Sequence, residues 1–150
     1  MSKNSFEKSL KFVPKLWATV LYFLGMVFAF YLFYGRKSEA VRFKFLTDNW
    51  PEFYQNISNF SLSYMLYAGI GFFWLMMGVK FKYLIGLGIF IIASNLIYEF
   101  FIPVLNTPDA TDAWFGIAGS ILGFLVLWII GKFGLKLNPE WKNEPLKIQE

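Results

Sequence analysis

The chain contains no cysteine and no histidine. The first absence excludes disulfides and thiolate chemistry. The second removes the commonest zinc ligand and the commonest general base. Charge is also scarce: 16% of residues are charged, against about 25% in soluble domains. The charges cluster at the start, in one long loop, in short joints and in the tail. Apolar residues take their place, at 57%, with 22% aromatic and 19 phenylalanines.

A helix needs about 20 mostly apolar residues to cross the ~30 Å hydrocarbon core of a bilayer. Residues 16–35 and 62–79 meet that requirement without a single charge, and 83–105 meets it with one, Glu99. The uncharged run 113–131, taken from a helix start at Pro108, supplies a fourth span over 108–131. So few polar residues remain that four such helices could not all be covered in a soluble chain. The expected fold is therefore all-α: one membrane domain, a bundle of four transmembrane helices. The first span is not read as a signal peptide, because its apolar run is too long and no small-x-small cleavage site follows.

Lysine and arginine favour the cytoplasmic side. Lys3, Lys8, Lys11, Lys15, Lys80, Lys82, Lys132, Lys136, Lys142 and Lys147 would share one side of a four-span bundle. The other side has Arg36, Lys37, Arg42 and Lys44, diluted by Glu39, Asp48 and Glu52. Both termini are expected to be cytoplasmic. Topology and anionic lipid headgroups account for the net charge of +4, so no nucleic-acid partner is implied.

Residues 1–15 alternate polar and apolar and suggest a short amphipathic helix on the inner leaflet. The loop 36–60 carries Phe43, Phe45, Leu46, Trp50 and Phe53 and is expected to rest on the outer interface. Spans two and three, joined only by Lys80-Phe81-Lys82, must form an antiparallel hairpin. The tail 137–150 is expected to be loose.

The chemistry-bearing residues gather near the outer ends of the spans. Thr107 suits an N-cap, Pro108 the first helical position, and Asp109 and Asp112 the first turn. At about 100° per residue, Asp109, Asp112, Gly116, Gly119 and Gly123 form one stripe, with Ser120 beside it. Glycines at such spacing let another helix approach closely, so the stripe should face protein. On span three, Asn95 and Glu99 share a face, and Glu99 lies about 25 Å along the helix from Lys82. Span two offers Asn59, Ser63 and Tyr67 at spacings of four. The candidate ligand-binding set is thus Asp109, Asp112, Glu99, Asn95, Tyr67 and Ser63, with Gly116, Gly119 and Gly123 as packing positions. A plainer reading stands beside it: the aspartates cap a helix N-terminus, and Glu99 faces water at the interface.

The run from Asp112 through Gly116 and Gly119 to Gly123 resembles the signature of the VanZ-like family of small membrane proteins. That signature has an Asp followed by Asn, Gly and Gly at these spacings. Asp109 suits it, as do Phe100-Phe101-Ile102-Pro103 ending the span before, and Asn59, Ser63 and Tyr67 stand where the family often has Asp, His and Tyr. The similarity covers about residues 59–130 and fits a divergent member, or a member of a related group of D-x-x-D membrane proteins with the same final helix. Its departures are Gly116 in place of the Asn, Glu99 in place of a Gln, Ser63 in place of the His, and Leu105 or Asn106 where an Arg usually follows. The resemblance implies a multi-pass protein of the bacterial inner membrane and cell envelope, with a role in envelope integrity or glycopeptide tolerance through an outer acidic site.

Two other functions are open. A non-enzymatic scaffold would dock a second copy or another membrane protein through the glycine face. An enzyme would use the carboxyl groups for acid–base work, or for a divalent cation held by oxygen ligands. No recognised catalytic motif accompanies them and no cofactor is implied. Membrane lipids are the expected surroundings.

Overall fold

The computed structural model describes residues 10–101 and 110–141. A short strand β1 (Phe12–Pro14) leads into α1 (Leu16–Gly35); a 3-10 turn (Glu39–Val41) and a six-residue helix α2 (Lys44–Asn49) follow. The long helices α3 (Phe53–Met77), α4 (Phe81–Phe101) and α5 (Ala110–Ile129) come next. A wider π turn (Ile130–Gly134) and strand β2 (Leu135–Leu137) complete the described chain. Four of these helices are long and apolar enough to span a membrane, so the fold is the expected all-α bundle.

The bundle is built around α3, which packs against α1, α4 and, most extensively, α5. Half of the apolar window of α3 is buried, against 22% for α1 and for α4. The outer faces of α1 and α4 instead expose residues such as Val27, Phe30, Ile89 and Phe90, as lipid-facing helices do. Between α1 and α3, Tyr22 stacks on Phe72 with ring centroids 4.1 Å apart.

Glycine decides how closely α5 lies on its neighbours. A Cβ at Gly119 would collide with the carbonyl oxygen of Phe60 on α3, and one at Gly123 would press on the Tyr67 ring at 3.3 Å. At Gly116 it would overlap the Asn95 amide of α4. The stripe therefore faces protein, as its spacing implies. The α3–α4 joint depends on a different property of glycine. Gly78 adopts φ +80°, and its N–H and that of Val79 bond back to Leu75 and Trp74. These bonds satisfy carbonyls at the end of α3 and turn the chain sharply.

The second and third spans differ in their limits from the sequence expectation. The second span begins at Phe53, not at residue 62. Its added turns contain Gln55, Asn56 and Asn59, which depress the hydropathy, yet Tyr54, Ile57 and Ser58 are buried against the bundle. The loop 36–60 is shorter for that reason and largely folded: Arg42 donates to the carbonyls of Gly35 and Arg36, and the Phe43 N–H donates to the Tyr54 hydroxyl at 2.9 Å. The third span starts at Phe81. Its expected end at 105, and the expected helix start at Thr107 and Pro108, lie outside the described residues.

At the opposite end, the amphipathic helix expected for residues 1–15 is replaced over Phe12–Pro14 by strand β1, which pairs antiparallel with β2. Residues 1–9 lie outside the description. The tail is not loose at its start: the Asn138 N–H donates to Lys11 at 3.0 Å and its amide donates to Leu10 at 2.8 Å. Backbone pairing offers both segments main-chain partners that an isolated surface helix or free tail would lack. Lys11, Lys15, Lys80, Lys82, Lys132 and Lys136 all flank this strand end and the α3–α4 joint.

Gly119→Val should lower the unfolding free energy by about 1–3 kcal/mol, seen as a reduced Tm in detergent; an unchanged Tm would contradict the close approach at Phe60. The chain has no native cysteine, so single-cysteine labelling can read its orientation without background. An impermeant maleimide applied from outside should label Lys37→Cys but reach Lys82→Cys only after permeabilisation. The reverse pattern would invert the topology.

Candidate functional site

The site is assembled from the loop-end halves of α3, α4 and α5. The side chain of Glu99 on α4 is almost fully enclosed, with 1% exposed. It does not lie in water at an interface. Asn59 of α3 donates to its Oε1 at 2.7 Å, a short bond between two helices. One turn deeper on α4, the Asn95 amide sits over Gly116 and donates to the Ala113 carbonyl of α5 at 3.4 Å.

That contact sets the level of the aspartate on α5. Glu99 is four residues forward of Asn95, and Asp112 is four residues back from Gly116. In antiparallel neighbours both steps run toward the loop end, by about 6 Å each at 1.5 Å per residue. Asp112 and Glu99 are thus at one height on adjacent helices. Asp112 is partly buried, with its Oδ1 shielded from solvent. The two carboxyl groups and the Asn59 and Asn95 amides make a polar layer across three helices.

The other sequence candidates divide. Ser63 is buried at 6% exposure on the α3 face one turn below Asn59. Tyr67 is a further turn down and donates to the Leu84 carbonyl at 2.8 Å. Its hydroxyl also fills the space over Gly88, so Tyr67 ties α3 to α4 and does not face the carboxyl layer. Asp109 lies outside the described residues. Gly116, Gly119 and Gly123 are all buried in the interior packing, and the Ser120 hydroxyl bonds back to the Gly116 carbonyl at 3.1 Å.

Sequence spacing placed Asn59 beside this set but did not single it out as the partner of Glu99. The two are 40 positions apart, and helix periodicity carries no information on which side chains of different helices meet. Arg36, which bonds the Ser58 hydroxyl from the end of α1, carried no spacing signal at all. Among the described residues no group of three acidic side chains is placed to hold a metal ion. The layer can offer hydrogen-bond acceptors and negative charge to a ligand, with amide donors beside them.

No protein-family model, curated protein or solved structure matches the chain.

Asn59 and Glu99 should be energetically coupled. In a double-mutant cycle with Asn59→Ala and Glu99→Leu, the coupling is expected at about 1 kcal/mol, in the upper part of the range for hydrogen bonds between membrane helices. Strict additivity in thermal or denaturant unfolding would show that the bond contributes nothing to stability.

Proposed function

We propose that this protein is a VanZ-like integral membrane protein of the bacterial cell envelope, contributing to envelope integrity or glycopeptide tolerance through a carboxyl site at its outer end. One observation carries the reading: Glu99 is enclosed by the bundle, bonded to Asn59 across helices, and level with Asp112 on the next helix. Ionisable groups are costly within a membrane span and stand there mainly for function. Such a layer suits a ligand that brings positive charge or hydrogen-bond donors: a cation, an amine, or a lipid-linked headgroup.

One departure from the family signature is filled from a neighbouring helix. Where the family signature has Asn on the last span, this chain has Gly116, and the space is occupied by the amide of Asn95 from the neighbouring helix. A carboxamide is thus kept at this level. The scaffold alternative loses ground for the same reason, because the glycine face is already filled by Asn95, Phe60 and Tyr67 of the same chain.

Complementation tests the proposal. In a bacterial deletion strain, Glu99→Gln and Asp112→Asn at wild-type membrane levels should fail to restore survival under glycopeptide and other envelope stress. Gln55→Ala, at an exposed position of α3, should restore it. Full rescue by both carboxyl variants would reduce the layer to a structural element.

A further inference from the structure

The strand pair β1–β2 brings together charges that the sequence keeps apart. The Asn138 N–H donates to the Lys11 carbonyl and the Lys15 N–H to that of Gly134, so the pairing runs one residue past each end of β1. Side chains alternate between the two faces of a strand. Lys11, Val13 and Lys15 therefore share one face with Lys136 and Asn138, which stand opposite Val13 and Lys11. Lys136 is a diagonal neighbour of both Lys11 and Lys15, about 7–8 Å away between Cα atoms. The other face holds Phe12, Pro14, Leu135 and Leu137, all apolar. The two strands form an amphipathic ribbon.

The lysines of this ribbon have no acidic counterpart. Among the described residues none of them is in an ion pair; Arg42 and Glu39 form one at the loop end. Lys15 and Lys136 are exposed. The stem of Lys11 lies over Gly78 at the α3–α4 joint, where the exposed Lys80 follows two residues later. The Lys11 ammonium rests over the Trp141 ring, 5.1 Å from its centroid, which leaves the charge without a counterion. Like charges gathered in this way repel one another, and the paired ribbon carries that cost until an anion meets it.

The apolar side says which anion. Leu135 reaches the bundle core, but Leu137 is 60% exposed, and Leu16, Trp17 and Phe133 beside the ribbon are exposed too. A nucleic acid or an acidic protein would match the lysines and leave these residues in water. The surface of an anionic leaflet matches both, with phosphates for the ammonium groups and the acyl boundary for the apolar side chains. The ribbon is also at the right depth: β1 ends one residue before α1, and β2 directly follows the π turn after α5.

We propose that the β1–β2 ribbon docks on the anionic lipid headgroups of the leaflet at its end of the bundle, through Lys11, Lys15 and Lys136, and that this contact holds the two segments together. The general enrichment of lysine on one side of membrane proteins requires only that such charges be present; here backbone pairing gathers them on one face. The ribbon and the carboxyl layer lie at opposite ends of the bundle, so the docking is independent of the proposed function.

Hydrogen–deuterium exchange of the full chain in lipid nanodiscs, read by mass spectrometry, tests the docking. Amide exchange in the ribbon should be several-fold slower in phosphatidylcholine mixed with phosphatidylglycerol than in phosphatidylcholine alone, because each lysine near an anionic surface adds to the attraction. The difference should shrink as salt is raised. Lys15→Gln/Lys136→Gln, at two exposed positions, should remove most of it, while exchange in α3 stays as in the wild type and shows that the variant is folded. Equal exchange of the ribbon in the two lipid mixtures would overturn the proposal, as would a phosphatidylglycerol effect that persists in the double variant. Slowing by heparin in phosphatidylcholine alone, with none from phosphatidylglycerol, would overturn it in favour of a soluble polyanion.

Discussion

The bundle depends on the approach of α5 to α3 at Gly119. A single methyl group there would meet the carbonyl oxygen of Phe60, so the two helices can be this close only because residue 119 has no side chain. In a membrane, apolar burial gives little reason for helices to associate, and close packing of small residues supplies much of the attraction. The approach also fixes register. With Gly119 against Phe60, Gly123 comes against Tyr67 and Gly71 against Leu127. Asp112 is thereby held at the level reached by Asn59 and Glu99, so the polar layer is a consequence of the glycine contact as much as of its own hydrogen bonds.

The same geometry resolves a conflict that the chain carries. A carboxyl group enclosed within an apolar bundle is costly unless it is hydrogen-bonded. Glu99 meets that requirement with the Asn59 amide, which is available because α3 extends two turns beyond its apolar run. The added turns also provide Ser58 to hold Arg36 and Tyr54 to receive the Phe43 N–H. The loop after α1 is thus fastened to the polar extension of α3, and Trp50, Phe53 and Phe115 close over the interior in edge-on contacts with centroids 5.3–5.7 Å apart.

Four spans and the inward-facing glycine stripe were legible in the sequence because both are periodic or compositional properties of single helices. Residues 16–35 are legible with their observed limits because Lys15 and Arg36 bracket an uncharged run. Hydropathy misplaces the start of α3 because Gln55, Asn56 and Asn59 look like loop residues to any such measure, whereas Tyr54 and Ile57 hold them in a helix by packing. The clustering of carboxyl and amide groups near one end was readable from helix length, but the Asn59–Glu99 pair and the burial of Glu99 depend on the rotation of α4 against α3. The strand pair could not be read either: three-residue strands have no detectable period, and their partner is remote in the chain.

That strand pair has a consequence for biogenesis. Phe12 faces Leu137, so its hydrogen bonds join segments that lie before the first long helix and after the last. A chain emerging from the N-terminus onward must insert all four spans before β1 has anything to pair with. The Leu10 and Lys11 carbonyls, which accept from Asn138, wait equally long. The clip can thus close only after an even number of crossings has returned β2 to the side on which β1 waits.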